Sequence, residues 1–303
     1  MIRGGRTQML SLDDFKPVTL EDRTVFSDHY TKYPQTHSDN TFTNMVCWNH
    51  YAHYRYADIN GSIILSSTID GITRFRPPIG RRDPELLKEV IRLAYQIGDQ
   101  EPVVLIDRPM STWIASLCPT VQIVPDRNHF EYVYRARDLA DLSGGSYLNI
   151  RHQLNRFRKN CAYAVEPITA ENRDEVKSFL VKWCEWKGCD DDPVLAHEKE
   201  AIFYAVDHFV ELELSGLIIR IDRNIGAMSL FEPLNTDTAL VHFEKGLPDC
   251  EGIYKAINAE TADVISKDFM YINRESDLGI PGLREAKMRY HPHHMVEVCS
   301  LHR

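Results

Sequence analysis

No stretch of this 303-residue chain approaches the ~18 consecutive apolar positions that cross a bilayer as a helix, so no transmembrane segment is expected. Short apolar runs such as Ser62–Leu65 and Leu217–Ile219 have the length of buried strands. An excess of positive charge is also missing. With 35 Lys and Arg against 44 Asp and Glu, the net charge is −9, which excludes a general nucleic-acid coat. The seven cysteines (47, 118, 161, 184, 189, 250 and 299) are odd in number and scattered, unlike a disulfide framework. They read as reduced thiols of a cytoplasmic protein. The opening residues Met1–Arg6 are basic, but no apolar stretch follows, so no secretory signal is expected. Solenoid repeats, low-complexity tracts, a Walker loop, a Gly-x-Ser-x-Gly elbow and a Rossmann fingerprint are absent. No metal site is assigned: Cys184 and Cys189 have no second Cys pair or well-spaced His, and His291-Pro-His-His294 reads as a surface turn. Oligomeric state has no signature in the sequence.

What is present is an ordinary globular composition, 43% hydrophobic and 26% charged, at a length that suits two domains of roughly 150 residues. Glu21–Tyr33 reads as a helix ending at Pro34. Tyr51–Asp58 and Ser62–Thr68 flank Asn60-Gly61, a hairpin signal, and another strand precedes Pro77-Pro78. Asp83-Pro84 opens a helix over Glu85–Ile97 whose apolar positions 86, 90, 93 and 97 share a face. Strand Val103–Ile106, helix Ser111–Leu117 and strands Val121–Val124 and Tyr132–Arg135 complete the first half. The second half offers helices Glu171–Trp186 and Ala196–Leu214, then a meander of strands Leu217–Ile221, Ile225–Glu232 and Thr238–Glu244. Helix Ile253–Ile265, strand Met270–Asn273, helix Pro281–Tyr290 and strand Met295–Leu301 follow. The class is α+β, each half a mixed, mostly antiparallel sheet flanked by helices. The order resembles that of the GNAT N-acyltransferase fold, occurring twice. The expected modules are residues 1–137 and 138–303, with Arg137–Asn160 joining them.

Three segments could carry chemistry. In Tyr271–Pro292 a strand runs into Asn273, Arg274, Glu275 and Asp277, and the following helix sets Arg284, Lys287 and His291 on one face. Carboxylates at a strand end facing cations on the next helix could clamp a zwitterionic substrate; the alternative is a salt-bridged junction that caps a helix. In Leu240-Val-His-Phe-Glu-Lys-Gly246, alternation sets Leu240, His242 and Glu244 on one face and Val241, Phe243 and Lys245 on the other. His242 and Glu244 then fit an acid/base and its orienting partner, or an exposed sheet face. The turn that follows, Lys245–Gly252, sits where acyl-CoA enzymes cradle pyrophosphate, but Asp249, Glu251 and Pro248 make a poor cradle, which disfavours coenzyme A. The third segment, Arg151–Asn160, is the densest basic run. Arg151, Arg156, Arg158 and Lys159 could receive phosphates of RNA or of a lipid head group, or be a solvated linker helix.

The chain resembles the family of phosphatidylglycerol lysyltransferase C-terminal domains. The residues that carry the resemblance are Ser38-Asp39-x-Thr41-Phe42-x-Asn44 with Trp48, Asp126-Arg127, Tyr132-Val-Tyr134, Asp138–Gly144, the basic helix, His242–Lys245, Tyr271–Gly279 and Gly282–Lys287. The resemblance implies two GNAT-like modules, with a cleft in the second. It also implies aminoacyl-tRNA as donor and a hydroxyl or amine as acceptor, as in lysyltransferases and Fem-type enzymes. By similarity, His242, Glu244 and Lys245 would be catalytic. Asn273, Arg274, Glu275, Asp277, Arg284 and Lys287 would bind substrate. The membrane-embedded portion of the full enzymes is not in this sequence, which leaves a small molecule beside the lipid head group as acceptor. The expected activity is aminoacyl or acyl transfer; its rivals are acetyl-CoA-dependent acetylation and a non-catalytic binding module.

Overall fold

A computed structural model describes residues 9–303; Met1–Arg6 lies outside the described residues. Along the chain the elements are β1 (Lys16–Pro17), α1 (Arg23–Lys32), α2 (Phe42–Cys47), α3 (Asn49–Ala52), β2 (Arg55–Ile59), β3 (Ser62–Ile69) and β4 (Ile72–Phe75). Next come α4 (Pro84–Ile97), β5 (Val103–Asp107), α5 (Arg108–Leu117), β6 (Gln122–Pro125), β7 (Glu131–Arg135), α6 (Ala136–Asp141), α7 (Leu148–Asn160) and β8 (Tyr163–Pro167). The remainder is α8 (Arg173–Lys187), α9 (Pro193–Asp207), β9 (Ser215–Ile221), β10 (Asn224–Pro233), β11 (Thr238–Gly246), α10 (Ile253–Ile265), β12 (Tyr271–Ser276), α11 (Pro281–Met288), β13 (His294–Val296) and β14 (Val298–His302). Among the described residues no helix is long and apolar enough to cross a membrane.

The chain divides into two compact units. Among the described residues, one holds 9–33, 49–129 and 297–303, the other 34–48 and 130–296. The sheet of the first unit runs β1-β2-β3-β4-β5-β14-β6, and that of the second β13-β7-β12-β11-β10-β9-β8. Read from β1 and from β8, the two orders correspond: a four-strand antiparallel run, a parallel fifth strand, and two antiparallel strands beyond it. In each sheet the strand beside the fifth comes from far away in sequence. β7, expected with the first module, lies in the second sheet; the closing strand Met295–Leu301 divides, β13 staying in the second sheet and β14 joining the first. β8 was not anticipated at all.

Local chemistry explains the elements that matched expectation. Asp83 caps α4 by accepting from the backbone N–H groups of Glu85 and Leu86, ahead of Pro84 in the first turn. Asn60 and Gly61 take positive φ, 53° and 77°, as the two-residue turn between β2 and β3 requires. The first core gathers Leu86, Leu87, Val90 and Ala94 of α4 and Ile114 of α5 against Ala57, Ile64, Phe75, Val103 and Leu301. The opposite face of that sheet takes α1, whose Phe26 meets Tyr56 edge-on at 5.0 Å. The second core joins α6, α7 and α10 to one sheet face through Leu139, Leu154, Phe157, Ala256, Ile257, Val241 and Ile272. The other face carries α8 and α9, where Trp183 lies under the Lys245 ammonium at 4.5 Å.

The cysteines depart from expectation. Cys161 is bonded to Cys250 and Cys184 to Cys189, leaving Cys47, Cys118 and Cys299 free. Distance in sequence concealed the first pair, whose residues are 89 apart, while the second, weighed above only as a metal pair, closes the αL turn at Gly188 that ends α8.

Candidate active site

The site begins where two parallel strands part. β11 and β12 pair only through Thr238↔Tyr271, Ala239↔Ile272 and Leu240↔Asn273, and each then runs on alone on that side. Just past the fork β11 bulges. Leu230 faces Phe243 while Phe231 faces Val241, so His242 is the extra residue. The bulge overturns simple alternation. Val241 and Glu244 point to the α10 face, Glu244 accepting from Asn258 at 3.3 Å. Lys245 points to α8 and α9, pairing with Glu198 at 2.7 Å. His242 faces away from α10, toward α2. His242 and Glu244 therefore occupy opposite faces, and the three residues expected to act together have three different surroundings.

The His242 imidazole is bonded at both nitrogens, Nε2 to Glu232 Oε1 at 2.9 Å and Nδ1 to Glu275 Oε1 at 3.3 Å. Its side chain is 1% exposed, those of Glu232 and Glu275 16% and 29%. Burial opposes its charge, but the hydrogen bonds it donates to the two carboxylates outweigh that and raise its pKa to about 9. At neutral pH it is an imidazolium clasped by two carboxylates. α2 fixes both carboxylates from the other side: Thr43 donates to Glu232 Oε2 at 2.9 Å, and Asn44 Nδ2 to Glu275 Oε1 at 3.2 Å. Glu275 Oε2 has no hydrogen bond to any described residue.

A second layer holds Glu275 in place. Its backbone is left-handed, φ 58°, an unusual conformation for a residue with a Cβ. Asn273 Oδ1 accepts from the Glu275 backbone N–H at 2.8 Å, while Asn273 Nδ2 donates to Glu131 Oε2 at 2.6 Å. Glu131 is fully buried, which pushes its carboxyl upward, and it accepts from the backbone and hydroxyl of Ser38. Lys287 donates to the carbonyls of Arg274, Glu275 and Ser276, and burial lowers its pKa to about 8. Asp277 has no exposed surface and forms a two-pronged pair with Arg284, Nε to Oδ2 and Nη2 to Oδ1, each 2.9 Å. It also accepts from Tyr132 and Gly279 N–H. Burial favours its neutral form, but these donors win and hold its pKa well below the usual carboxylate range.

Of the remaining predicted residues, Arg274 pairs with Glu244 and lies 5.3 Å from the Tyr290 ring centroid, on the α10 face. On α7, Arg151 donates to the carbonyls of Leu142 and Gly144, Arg156 pairs with Glu251 and Arg158 with Glu260. Lys159 is exposed on the same helix. The turn before α10 borders a cavity of about 360 Å³ lined by Gln153, Trp186, Pro248 and Tyr254, among others. It does not fit a pyrophosphate. A Cβ at Gly252 would stand 2.5 Å from the Gln153 carbonyl oxygen, Pro248 offers no N–H, and Cys250 is tied to Cys161. Sequence reasoning overlooked Glu232, Glu131, Thr43 and Asn44 as parts of the site. Thr43 and Asn44 lie in or beside the Ser38–Asn44 motif noted earlier, but Glu232 carried only the weak signal of a carboxylate ending an apolar strand.

Residues 30–299 match the family described as phosphatidylglycerol lysyltransferase, C-terminal. The chain belongs to this family. A conserved protein of unknown function from Bacteroides thetaiotaomicron VPI-5482 has a similar structure, with TM-score 0.88 and 29% identity over 95% of this chain and 98% of that one. L-PGS from Bacillus licheniformis aligns at TM-score 0.65 and 13% identity, over 95% and 93% of the two chains. The C-terminal domain of a protein described as a lysylphosphatidylglycerol synthetase from Agrobacterium fabrum gives 0.63 and 12%, over 91% and 92%. At those identities the last two share the fold. FemX, at TM-score 0.56 and 8% identity over 94% and 96% of the chains, shares it too. No curated protein matches the chain. Both modules here are α+β and GNAT-like, each a mixed sheet flanked by helices.

Proposed function

We propose that this lysyltransferase-family chain is an aminoacyl- or acyltransferase that moves its acyl group onto an amine or hydroxyl, with Glu275 as the group in contact with the acceptor. The observation that carries the reading is the Glu275 carboxylate: one oxygen is locked to His242 and Asn44, and the other has no partner among the described residues. His242 itself is the weaker choice of base, since it is protonated at neutral pH and both ring nitrogens are engaged. In this reading the acceptor O–H or N–H attacks the acyl carbon and its proton passes to Glu275 Oε2. The tetrahedral oxyanion then collapses, and the donor's alcohol leaves with that proton. Glu232 and His242 are positioning residues that hold Glu275 in place. Lys245, Arg284 and Lys287 are already engaged, by Glu198, by Asp277 and by backbone carbonyls, so in this reading they brace the site and the orientation of the acceptor by Glu275 is the main contribution.

Membership of the phosphatidylglycerol lysyltransferase family favours aminoacyl-tRNA as the donor in this reading, and a tRNA donor implies a cytoplasmic setting. Arg151, Arg156, Arg158 and Lys159 on α7 would be the RNA contact, which predicts tRNA binding that weakens steeply with salt. The acceptor is a small molecule or a lipid head group. The experiment is single-turnover transfer from lysyl-tRNA to phosphatidylglycerol vesicles or a soluble amine panel, using wild type, Glu275→Gln and Glu232→Gln. A loss of about 100-fold or more in Glu275→Gln, at unchanged tRNA affinity, is expected. Full activity in Glu275→Gln would sink the assignment. A melting shift with acetyl-CoA accompanied by turnover would move the protein to the acetyltransferases instead.

A further inference from the structure

The first unit buries a cation for which the described residues supply no anion. Arg76 directly follows β4, its backbone N–H donating to Leu65 O at 2.9 Å, so it prolongs the strand pairing. Phe75 points into the core with no exposed surface, and alternation sends Arg74 and Arg76 to the opposite face. Arg76 is only 3% exposed. Its guanidinium sits over the Tyr54 ring, 5.2 Å from the centroid, yet Nε and Nη1 have no hydrogen-bond partner among the described residues. The Tyr30 hydroxyl, sealed from solvent, also has none, nor does Arg74 Nε. Tyr30 and Arg76 are near enough to interact: burial pushes the Tyr30 phenol up, and the Arg76 charge works against that rise.

A buried guanidinium needs its five N–H donors met, because the interior does not replace the water it has lost. The Tyr54 face compensates for part of the charge but accepts no conventional hydrogen bond. Neighbouring groups make the gap specific. Asp22, the buried carboxylate on this side of the sheet, is already taken by Lys16 at 3.0 Å and the Tyr56 hydroxyl at 2.7 Å. Asp99 accepts from the Glu101 backbone N–H at 3.2 Å and lies 3.9 Å from Arg74 Nη2. His29 Nε2 is bonded to the Ile79 carbonyl at 2.7 Å. What remains is a fork of N–H donors and a phenol hydroxyl, which together match an oxyanion.

We propose that Arg76, with the Tyr30 hydroxyl, is the recognition point of a small-oxyanion site in the first unit, taking a carboxylate or a phosphate. The guanidinium supplies charge and two N–H donors, and the phenol supplies a third donor that ranks ligands by shape. The site is independent of the transfer reading above, and neither falls with the other.

Melting is measured for wild type, Arg76→Met, Arg76→Lys and Tyr30→Phe in sodium chloride and, at matched ionic strength, in sodium acetate, inorganic phosphate or glycerol 3-phosphate. The expected result is a saturable rise of a few degrees in wild type with at least one oxyanion. The preferred probe tells a carboxylate source from a free phosphate or a phosphoglycerol head group. Arg76→Met should lose the rise and melt no lower than wild type in chloride, since it removes an uncompensated buried charge. Tyr30→Phe should weaken binding about tenfold. No shift with any oxyanion in wild type, or an equal shift in Arg76→Met, overturns the proposal. If Arg76→Met does not fold, the wild-type titration and Arg76→Lys decide it by the same criteria.

Discussion

The two sheets have corresponding strand orders, yet they carry their central strands past the fork differently. In the first unit β4 and β5 meet at the single pair Phe75↔Val103, and beyond it the chain keeps to β3 only through the Arg76 N–H and an isolated bridge between Ile79 and Ile63, with Pro77-Pro78 between them. In the second unit β11 runs past the corresponding fork to Gly246 and bulges at His242. The extra length puts side chains on both faces beyond the fork, and the bulge selects which of them meet. The result is a pair of carboxylates around an imidazolium in one unit and a lone guanidinium in the other. A shared scaffold thus leaves the sign of the charge to local choices of strand length and register.

The largest test of this contrast uses the disulfides, which among the described residues occur only in the second unit. Closing a loop between residues 89 apart restricts the unfolded chain by up to ~4–5 kcal/mol. Reductant should therefore lower hydrogen-exchange protection in residues 130–296 far more than in residues 49–129. Thiol titration of the unreduced, denatured protein should find three reactive cysteines, 47, 118 and 299. Seven would place the protein among the fully reduced ones. Next in size, Glu131→Ala should cost about 3–5 kcal/mol, because it strands the buried donors of Ser38 and Asn273. Val298→Ala at the start of the corresponding strand β14 should cost about 2 kcal/mol. Equal costs would show that the buried carboxylate is not what distinguishes the second sheet.

The third test is pH. The His242 pKa is raised from 6.5 to about 9 in the fold, so its contribution is complete below pH 6.5 and disappears as pH climbs through 9. Denaturant titrations should show up to about 3 kcal/mol of stability lost over that window, and His242→Gln should flatten the slope. An unchanged slope in that variant would assign it to other groups. Smallest is Glu275→Gly. Relief of the left-handed backbone, about 1 kcal/mol, is offset by the lost bonds to His242 and Asn44, so stability should change little while transfer activity collapses. A variant that loses stability instead would mean that the carboxylate, not the backbone, governs the local energy.

Elements with local causes were legible in the sequence. Asp83-Pro84 announced α4, Asn60-Gly61 announced the hairpin, and the Tyr271–Lys287 block pointed to the side of the fold where Glu275 and Asn273 meet. Interactions set by distant partners were not. Glu232 is ten residues from His242 in sequence, and alternation placed Glu244 beside that histidine when the bulge sends it to the other face. Lys287 looked like a substrate cation because its three carbonyl partners belong to another strand. The partners of Glu131, Cys161 and β14 lie too far along the chain for any periodicity to reveal.

The placement of β14 between β5 and β6 also sets a schedule for synthesis. A ribosome delivers residues 16–125 early, but the gap between β5 and β6 stays open until Val298–His302 emerges. Until then the first sheet is a nascent structure with two unpaired edges in its interior, a target for chaperones or for mispairing with a neighbouring chain.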